Sequence, residues 1–375
     1  MSQDIGLPWH DDDLTTALDT QQQDAASLEA LDQRLAQNPA DVAAWRRRGS
    51  ILVALQRYDE ALETFAHALS LDSEDAWTWA NYADMLEKLQ RSDEALDAYR
   101  RAITIRPRFA AAWMNLSVAF ARRQSYREAL AAADRALAIE PTEATAWVNR
   151  GVALLGLHRR AEAFKAWQQA ASLDPTFTIA WYNIAENHRW FHRNQQALSA
   201  YGRALALDQQ FAPAWLGRGE TLNAIKRFSE AIQAFDRAIE LEGKLARAWQ
   251  GKGTALQKLG REDEALTAFA RAEALDGTDA TLWIARGSLL LSLHRDADAL
   301  EDFESAIETD PNHIYIWHAW SGKAQALRNL GRIDEAFDAV RRGLALRLAM
   351  SRGPLGLFIA RLIDHNALAT TRSTG

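Results

Sequence analysis

A tryptophan recurs every 34 residues along most of the chain, at Trp45, Trp79, Trp113, Trp147, Trp181, Trp215, Trp249 and Trp283, and a ninth follows at Trp320 after a gap of 37. The stretch from Val42 to Asp75 is the repeating unit, with Gly49, Tyr58, Ala61, Phe65 and Ala68 as its further landmarks. Sixteen residues after each Trp stands an Ala: Ala61, Ala95, Ala129, Ala163, Ala197, Ala231, Ala265, Ala299 and Ala336. Four residues after it the chain is always small, at Gly49, Ala83, Ser117, Gly151, Ala185, Gly219, Gly253, Gly287 and Ala324. A fixed period of this size constrains the fold more than any other feature, because each unit can bury its apolar face only against its neighbours. The 48% hydrophobic content is ample for a core, which the period spreads along a string of neighbour contacts.

Each unit reads as two helices. Helix A runs from two or three residues before the Trp to about ten after it. At about 100° per residue, Trp147, Arg150, Gly151 and Leu154 fall on one side, and Thr145, Val148, Asn149, Val152 and Leu155 on the other. The first set reads as the packing face, with each Trp removing about 150–250 Å² from water and the small residue one turn later letting a neighbouring backbone cover the ring. Helix B buries the recurring Ala and usually an aromatic four residues on: Phe65, Tyr99, Trp167, Tyr201, Phe235, Phe269 and Phe303. Between them, eleven residues after the Trp, stand Gln56, Gln90, Gln124, His158, His192, Lys226, Gly260, His294 and Gly331, where a left-handed cap must end helix A. Glu60, Glu94, Glu128, Glu162, Glu230, Glu264 and Glu335 then fall in the first turn of helix B, where negative charge suits the helix dipole.

These landmarks resemble the tetratricopeptide repeat family, over roughly residues 42 to 350. The resemblance implies an all-α fold, a right-handed α-solenoid superhelix of about nine helix–turn–helix repeats starting near 42, 76, 110, 144, 178, 212, 246, 280 and 317, with capping helices. Residues 1–23 are expected to form a disordered acidic tail. Residues 24–40 are expected to be an N-terminal capping helix with Leu28, Leu31 and Leu35 on one face. After the Ser351-Arg352-Gly353-Pro354 break, residues 354–367 read as a C-terminal capping helix with Leu355, Phe358, Ile359, Leu362 and Ile363 in a stripe, and 368–375 as a second disordered tail. The LPWHDDDL segment around Trp9 reads either as solvated tail or as a tethered peptide for a partner or for the protein's own groove. The three extra residues before Trp320 predict a ninth helix A longer by close to a turn, with Tyr315 and Trp317 projecting as a second contact patch.

Chemistry finds no foothold in this pattern. The chain has no cysteine, which removes disulfides, thiolate metal sites and cysteine nucleophiles. A net charge of -7 argues against a nucleic-acid binder. No apolar run approaches the roughly 18 residues of a membrane span, and the acidic start does not read as a signal peptide. A soluble cytoplasmic protein without nucleic-acid or membrane partners is the expectation. His188 and His192 stand at metal-ligand spacing without a third ligand, and no phosphate loop, nucleophile elbow or dinucleotide turn is present. No catalytic residue, cofactor or metal is expected, and the protein reads as a non-enzyme.

Function must then lie on the second face of the A helices. Two residues after the Trp stand Asn81, Asn115, Asn149 and Asn183, preceded by Arg47 and followed by Gly217, Gly251, Ala285 and Gly322. In the family this face lines the concave groove, and the series resembles the asparagine ladder in the superhelical arm of O-linked N-acetylglucosamine transferases, which is understood to grip a peptide backbone. An amide offers a donor and an acceptor together, matching the N–H and C=O of an extended strand. Four such bonds at about 1 kcal/mol each give only millimolar affinity, so side chains must add the rest. Met114, Val118, Val148, Val152, Tyr182 and Trp190 form an apolar stripe there, beside Glu186 and Arg189. The expected partner is a protein or peptide, an extended segment with apolar anchors and basic flanks, held across the second to fifth repeats by a protein–protein interaction scaffold. The pattern of a heat-shock chaperone clamp is absent at Arg46/Ser50, Ala80/Asp84 and Met114/Val118. Two alternatives stand beside this reading: a self-associating structural scaffold, and a regulatory arm of a separately encoded enzyme.

Overall fold

Helix A must stop where helix B can turn back on it, and the residue eleven places after each Trp does this. All nine take positive φ, from 55° at His192 to 77° at Gly331. In the first repeat the amide of Arg57 reaches back to the carbonyl of Leu52 at 2.9 Å and that of Gln56 to Val53 at 3.0 Å, closing a left-handed cap. The computed structural model describes residues 27–311 and 315–350, all helix and short connection.

Helix α1 covers residues 27–37. The A helices are α2 (Val42–Ala54), α4 (Ala76–Lys88), α6 (Ala110–Arg122), α8 (Ala144–Gly156), α10 (Thr178–Trp190), α12 (Ala212–Ala224), α14 (Ala246–Lys258), α16 (Ala280–Ser292) and α18 (Ile316–Asn329). The B helices alternate with them: α3 (Tyr58–Leu71), α5 (Ser92–Ile105), α7 (Tyr126–Ile139), α9 (Arg160–Leu173), α11 (Asn194–Leu207), α13 (Phe228–Leu241), α15 (Glu262–Leu275), α17 (Asp296–Thr309) and α19 (Ile333–Met350). The result is an all-α helical-repeat solenoid.

Most B helices begin without a side-chain N-cap, on an arginine whose partner is the acid three residues on; α7 begins on Ser125 instead, and Arg193 before α11 has Gln196 at that place. Arg57 grips Glu60 with two bonds of 2.6 Å, and Arg91–Glu94, Arg159–Glu162, Arg227–Glu230, Arg261–Glu264 and Arg332–Glu335 repeat the fork. The hydrogen bonds from arginine hold each of these glutamates below the usual carboxylate range. The acids sit where the dipole favours them, and the fork fixes the turn.

The core lies between the helices of each repeat and its neighbour. Every recurring Ala is buried, and the largest fully buried side chains are the helix-B aromatics Trp167, Tyr201, Phe65, Phe235, Phe269 and Phe303. These aromatics also account for the small residues of helix A. A Cβ at Gly49 would meet Phe65, one at Gly151 would meet Trp167, and Gly219, Gly253 and Gly287 face Phe235, Phe269 and Phe303 in the same way. Where helix B carries Ala133 instead, helix A carries Ser117, whose hydroxyl donates to the Ala129 carbonyl at 2.8 Å. The small residue makes room for the partner helix's ring and not for a backbone covering the Trp.

The periodic tryptophans are placed differently from the expectation. All nine are only half-buried. Each of the first eight donates its indole N–H to the carbonyl six residues earlier, as Trp45 to Pro39 at 2.8 Å, Trp113 to Pro107 at 3.0 Å and Trp181 to Pro175 at 2.9 Å. They clip the turn between repeats onto the next helix A. The ninth helix A also departs: α18 has 14 residues against 13 for the others, so one of the three extra residues lengthens the helix and the other two precede it, short of the expected turn.

The chain divides into two compact units, Met1–Phe191 and His192–Gly375. In the first, α1 runs antiparallel to α2: Leu28 joins the cluster of Leu52, Asp32 pairs with Arg48, and Leu31 and Leu35 pack with Ala44. In the second, Phe235, Phe269 and Leu256 centre one cluster, and α19 closes another through Ala336 and Ala339. The outer face of α19 leaves Ile333, Phe337, Val340 and Leu344 exposed. The expected tails at 1–23 and 368–375, the LPWHDDDL segment and the 354–367 capping helix lie outside the described residues.

Candidate functional site: the A-helix face of the first unit

Successive A helices of the first unit lie side by side, α4 against α6 and α6 against α8. Their second faces are joined by side chains that reach from one repeat to the one before. The Asn115 amide donates to Asp84 at 2.8 Å, the Arg122 guanidinium to Glu87 at 3.1 Å, and the Asn149 amide to the Met114 carbonyl at 3.4 Å. One continuous surface results.

On that surface the four ladder asparagines differ. Asn81 turns back to the Trp77 carbonyl at 2.8 Å, one helical turn earlier. Asn115 is committed to Asp84, and Asn149, 5% exposed, is committed to the neighbouring helix. The Asn183 Nδ2 is buried without a partner among the described residues, as is that of Asn187 on the same helix. The expected row of four equivalent amides facing solvent is therefore absent, because each amide answers a different neighbour. The apolar stripe is corrected in the same way. Val148 and Val152 are 3% and 8% exposed and so are buried, not open to a ligand. Met114, Val118 and Tyr182 remain partly open, and Trp190 at the end of α10 is 64% exposed, with the Arg160 guanidinium 4.2 Å above its ring. Glu186 and Arg189 are paired with each other at 2.6 Å.

Beside Asn115 the surface carries a buried acid. Burial pushes the Asp84 carboxyl up to about 6, against the hydrogen bonds from the Tyr99 hydroxyl and the Asn115 amide, which pull it down. Next to it one Glu87 oxygen takes Arg122 and the other is buried without a partner among the described residues. Neither feature was legible from the ladder spacing, since Tyr99 comes from helix B and reads there as a core ring.

The start of the same face opens into a cavity of about 410 Å³ lined by Ala43, Arg46, Arg47, Ser50 and Trp77. Arg46 stacks over the Trp77 ring at 5.1 Å and pairs with Asp75 at 3.3 Å. Arg47 is exposed and makes no hydrogen bond or ion pair among the described residues. The sequence signal was there, since Arg47 breaks the asparagine series, but its open neighbour Trp77 was not. In the second unit a cavity of about 370 Å³ around Trp283 is already neutralised. There Arg286 binds Asp302 through two nitrogens at 2.7 and 2.8 Å and also pairs with Glu273. No group of three or more potential metal ligands occurs among the described residues, and no described helix is long and apolar enough to cross a membrane.

Profiles described as tetratricopeptide repeat match residues 41–108, then 82–144, 182–246 and 251–314, and finally 144–177. Among solved structures, the chain is similar to the anaphase-promoting complex hetero-tetramer Cut9–Hcn1, with a TM-score of 0.58, 17% identity, and coverage of 84% of this chain and 59% of that one. It is also similar to YrrB, titled a tetratricopeptide protein with an unusual peptide-binding site, at a TM-score of 0.42, 22% identity, and coverage of 50% of this chain and 96% of that one. A crystal structure of MamA aligns at a TM-score of 0.40 with 20% identity, over 44% of this chain and 97% of that one. A comparison with curated proteins finds no match. The likeness of the asparagine series to the transferase arm rests on residue type alone.

Proposed function

The chain belongs to the tetratricopeptide repeat family, and on that premise we propose that it is a non-catalytic cytoplasmic scaffold whose first unit binds an extended peptide segment along its A-helix face. The observation that carries the reading is the continuity of that face: side chains from α4, α6 and α8 bridge neighbouring repeats, and partly open apolar groups stand on it at Met114, Val118 and Tyr182. Trp190 adds a large exposed ring at its far end. Asp84 and Glu87 place two carboxyls on this face, one Glu87 oxygen without a partner among the described residues, and so favour a segment that brings basic residues to the middle of the groove. Affinity then comes from apolar anchors more than from a backbone ladder, because three of the four ladder amides are already engaged within the protein.

The test is a displayed peptide library panned on the full chain and on a Met114→Lys/Trp190→Ala variant with an unchanged melting profile. The proposal expects a motif with apolar anchors and a basic residue, enriched on the wild type and lost on the variant. Equal enrichment on both would move the binding face elsewhere. A second reading, self-association, is supported by the exposed apolar row on α19, where Phe337 is 67% exposed. Sedimentation equilibrium separates the two, since a dimer abolished by Phe337→Asp would favour self-association and a monomer at all concentrations would count against it.

A further inference from the structure

We propose that the cavity of Arg46, Arg47, Ser50 and Trp77 is a binding site for an acidic, tryptophan-bearing peptide, and that its resident occupant is the chain's own segment Leu7–Leu14. Three observations lead there. The first is charge left over. Arg46 and Arg47 face the cavity; among the described residues Asp75 is the only acid paired to either, and Arg47 has no partner. By contrast, Arg286 in the cavity of the second unit is fully met by Asp302 and Glu273. The second is complementarity. The cavity joins an open guanidinium to the face of Trp77, so it fits a ligand that carries both an aromatic ring and carboxylates. The residues preceding α1 supply both, with Leu7 and Trp9 followed by Asp11, Asp12 and Asp13, and they include no Lys or Arg.

The third is reach. Because α1 runs antiparallel to α2, residue 27 emerges beside Leu52, six residues along α2 from Arg46. At 1.5 Å rise per residue that separation is about 9 Å. The 14 residue-to-residue steps from Asp13 to residue 27 span up to about 46 Å when extended. The segment can therefore reach the cavity with length to spare, and covalent attachment over that length gives an effective concentration in the millimolar range. Seated there, it occupies the first-repeat end of the face to which the proposed function assigns a peptide partner, and any partner using that end must displace it. The inference rests on that reading only in sharing the face. Its residues, Arg46 and Arg47, are distinct from Met114 and Trp190, so the two proposals fail separately.

The experiment uses the full chain and a fluorescein-labelled peptide of residues 5–18, IGLPWHDDDLTTAL, with binding read by anisotropy at low salt. Four full-length proteins are compared: wild type, a tail-neutralised variant (Asp11→Asn/Asp12→Asn/Asp13→Asn with Trp9→Ala), and that variant with Arg47→Glu or Arg47→Lys added. Arg47 is exposed and has no partner among the described residues, so both substitutions are expected to melt as their parent does. The expected result is that the peptide binds the tail-neutralised chain at least roughly tenfold more tightly than the wild type, whose cavity is occupied. Arg47→Glu should abolish that binding, Arg47→Lys should retain most of it, and salt should weaken it. Equal affinity for wild type and tail-neutralised chain, no binding to either, or binding that survives Arg47→Glu would each overturn the proposal. A wild-type dimer that disappears on tail neutralisation would also overturn it, by placing the segment in the cavity of a second copy.

Discussion

The indole N–H of Trp147 donates to the carbonyl of Pro141 at 2.9 Å. The same six-residue link joins Trp79 to Ser73, Trp215 to Gln209, Trp249 to Gly243 and Trp283 to Gly277, whether or not the acceptor is proline. The periodic tryptophan thus serves as a clip on the inter-repeat turn as much as a core ring. Trp147→Phe should keep most of the apolar contact and cost about 1 kcal/mol, the worth of one net hydrogen bond. Trp147→Ala should cost roughly 2–4 kcal/mol. Urea denaturation of the two variants checks the difference, and equal losses would mean that the bond contributes nothing.

Trp167 and Gly151 form a matched pair. The Trp167 indole N–H is buried without a partner among the described residues, and a Cβ at Gly151 would collide with it. Trp167→Phe removes the unsatisfied donor and restores the residue that Phe65 and Phe235 supply elsewhere. Its stability should stay within about 1 kcal/mol of wild type, against a loss of roughly 3–5 kcal/mol for Trp167→Ala. Gly151→Ala should cost about 2–3 kcal/mol by overpacking. The double variant Gly151→Ala/Trp167→Ala, which approaches the natural Ser117/Ala133 pair, should lose less than the sum of its parts. Thermal melts of the three proteins measure this coupling.

Gln90 and Gln124 hold φ of 61° and 60°, a conformation that costs an L-residue about 1–2 kcal/mol and glycine almost nothing. Gly260 and Gly331 occupy the same turn position in other repeats. Gln90→Gly and Gln124→Gly should each raise stability by about 0.5–1 kcal/mol, the relief exceeding the entropy that glycine adds to the unfolded chain. A fall in the denaturation midpoint would show that the glutamine side chains make contacts outweighing the strain.

Asp84 gives the first unit a defined pH dependence. Burial holds its carboxyl at about 6 in the folded chain, above the ordinary 3.8, so the native state binds the proton more tightly than the unfolded one. Its contribution to stability is fully present below about pH 4 and is lost as pH rises through about 6. Asp84→Asn keeps an acceptor for Tyr99 and Asn115 while removing the charge. At pH 8 the variant should be more stable than wild type by roughly 1–3 kcal/mol, and the gain should vanish near pH 4. A gain independent of pH would show that the carboxyl is not the cause.

The repeat length, the two helices per repeat and the left-handed turn were legible because each is fixed by residues within one unit: the Trp, the Ala sixteen places on and the cap residue eleven places on. The spacing of Pro39, Pro107, Pro141 and Pro175 was visible too, but a spacing does not reveal a hydrogen bond to the proline carbonyl. Side-chain roles that depend on a neighbouring repeat were not legible. Val152 falls on the side of its helix away from the Trp, yet in the folded chain it is buried. Asn115 and Asn81 are the same residue at the same register, yet Asp84 exists to receive one and not the other. The insertion before Trp320 looked like a helical turn because three residues match that length, whereas α18 gains only one.

The most direct test of the proposed groove uses the chain's few methionines. Met114 lies partly open on the A-helix face, and Met85, 3% exposed, lies in the core of the preceding repeat. With methyl-labelled methionine in the full chain, a peptide selected by display should shift the Met114 methyl resonance in proportion to occupancy and leave Met85 in place. Saturable binding of that peptide with the Met114 resonance unmoved would contradict the account.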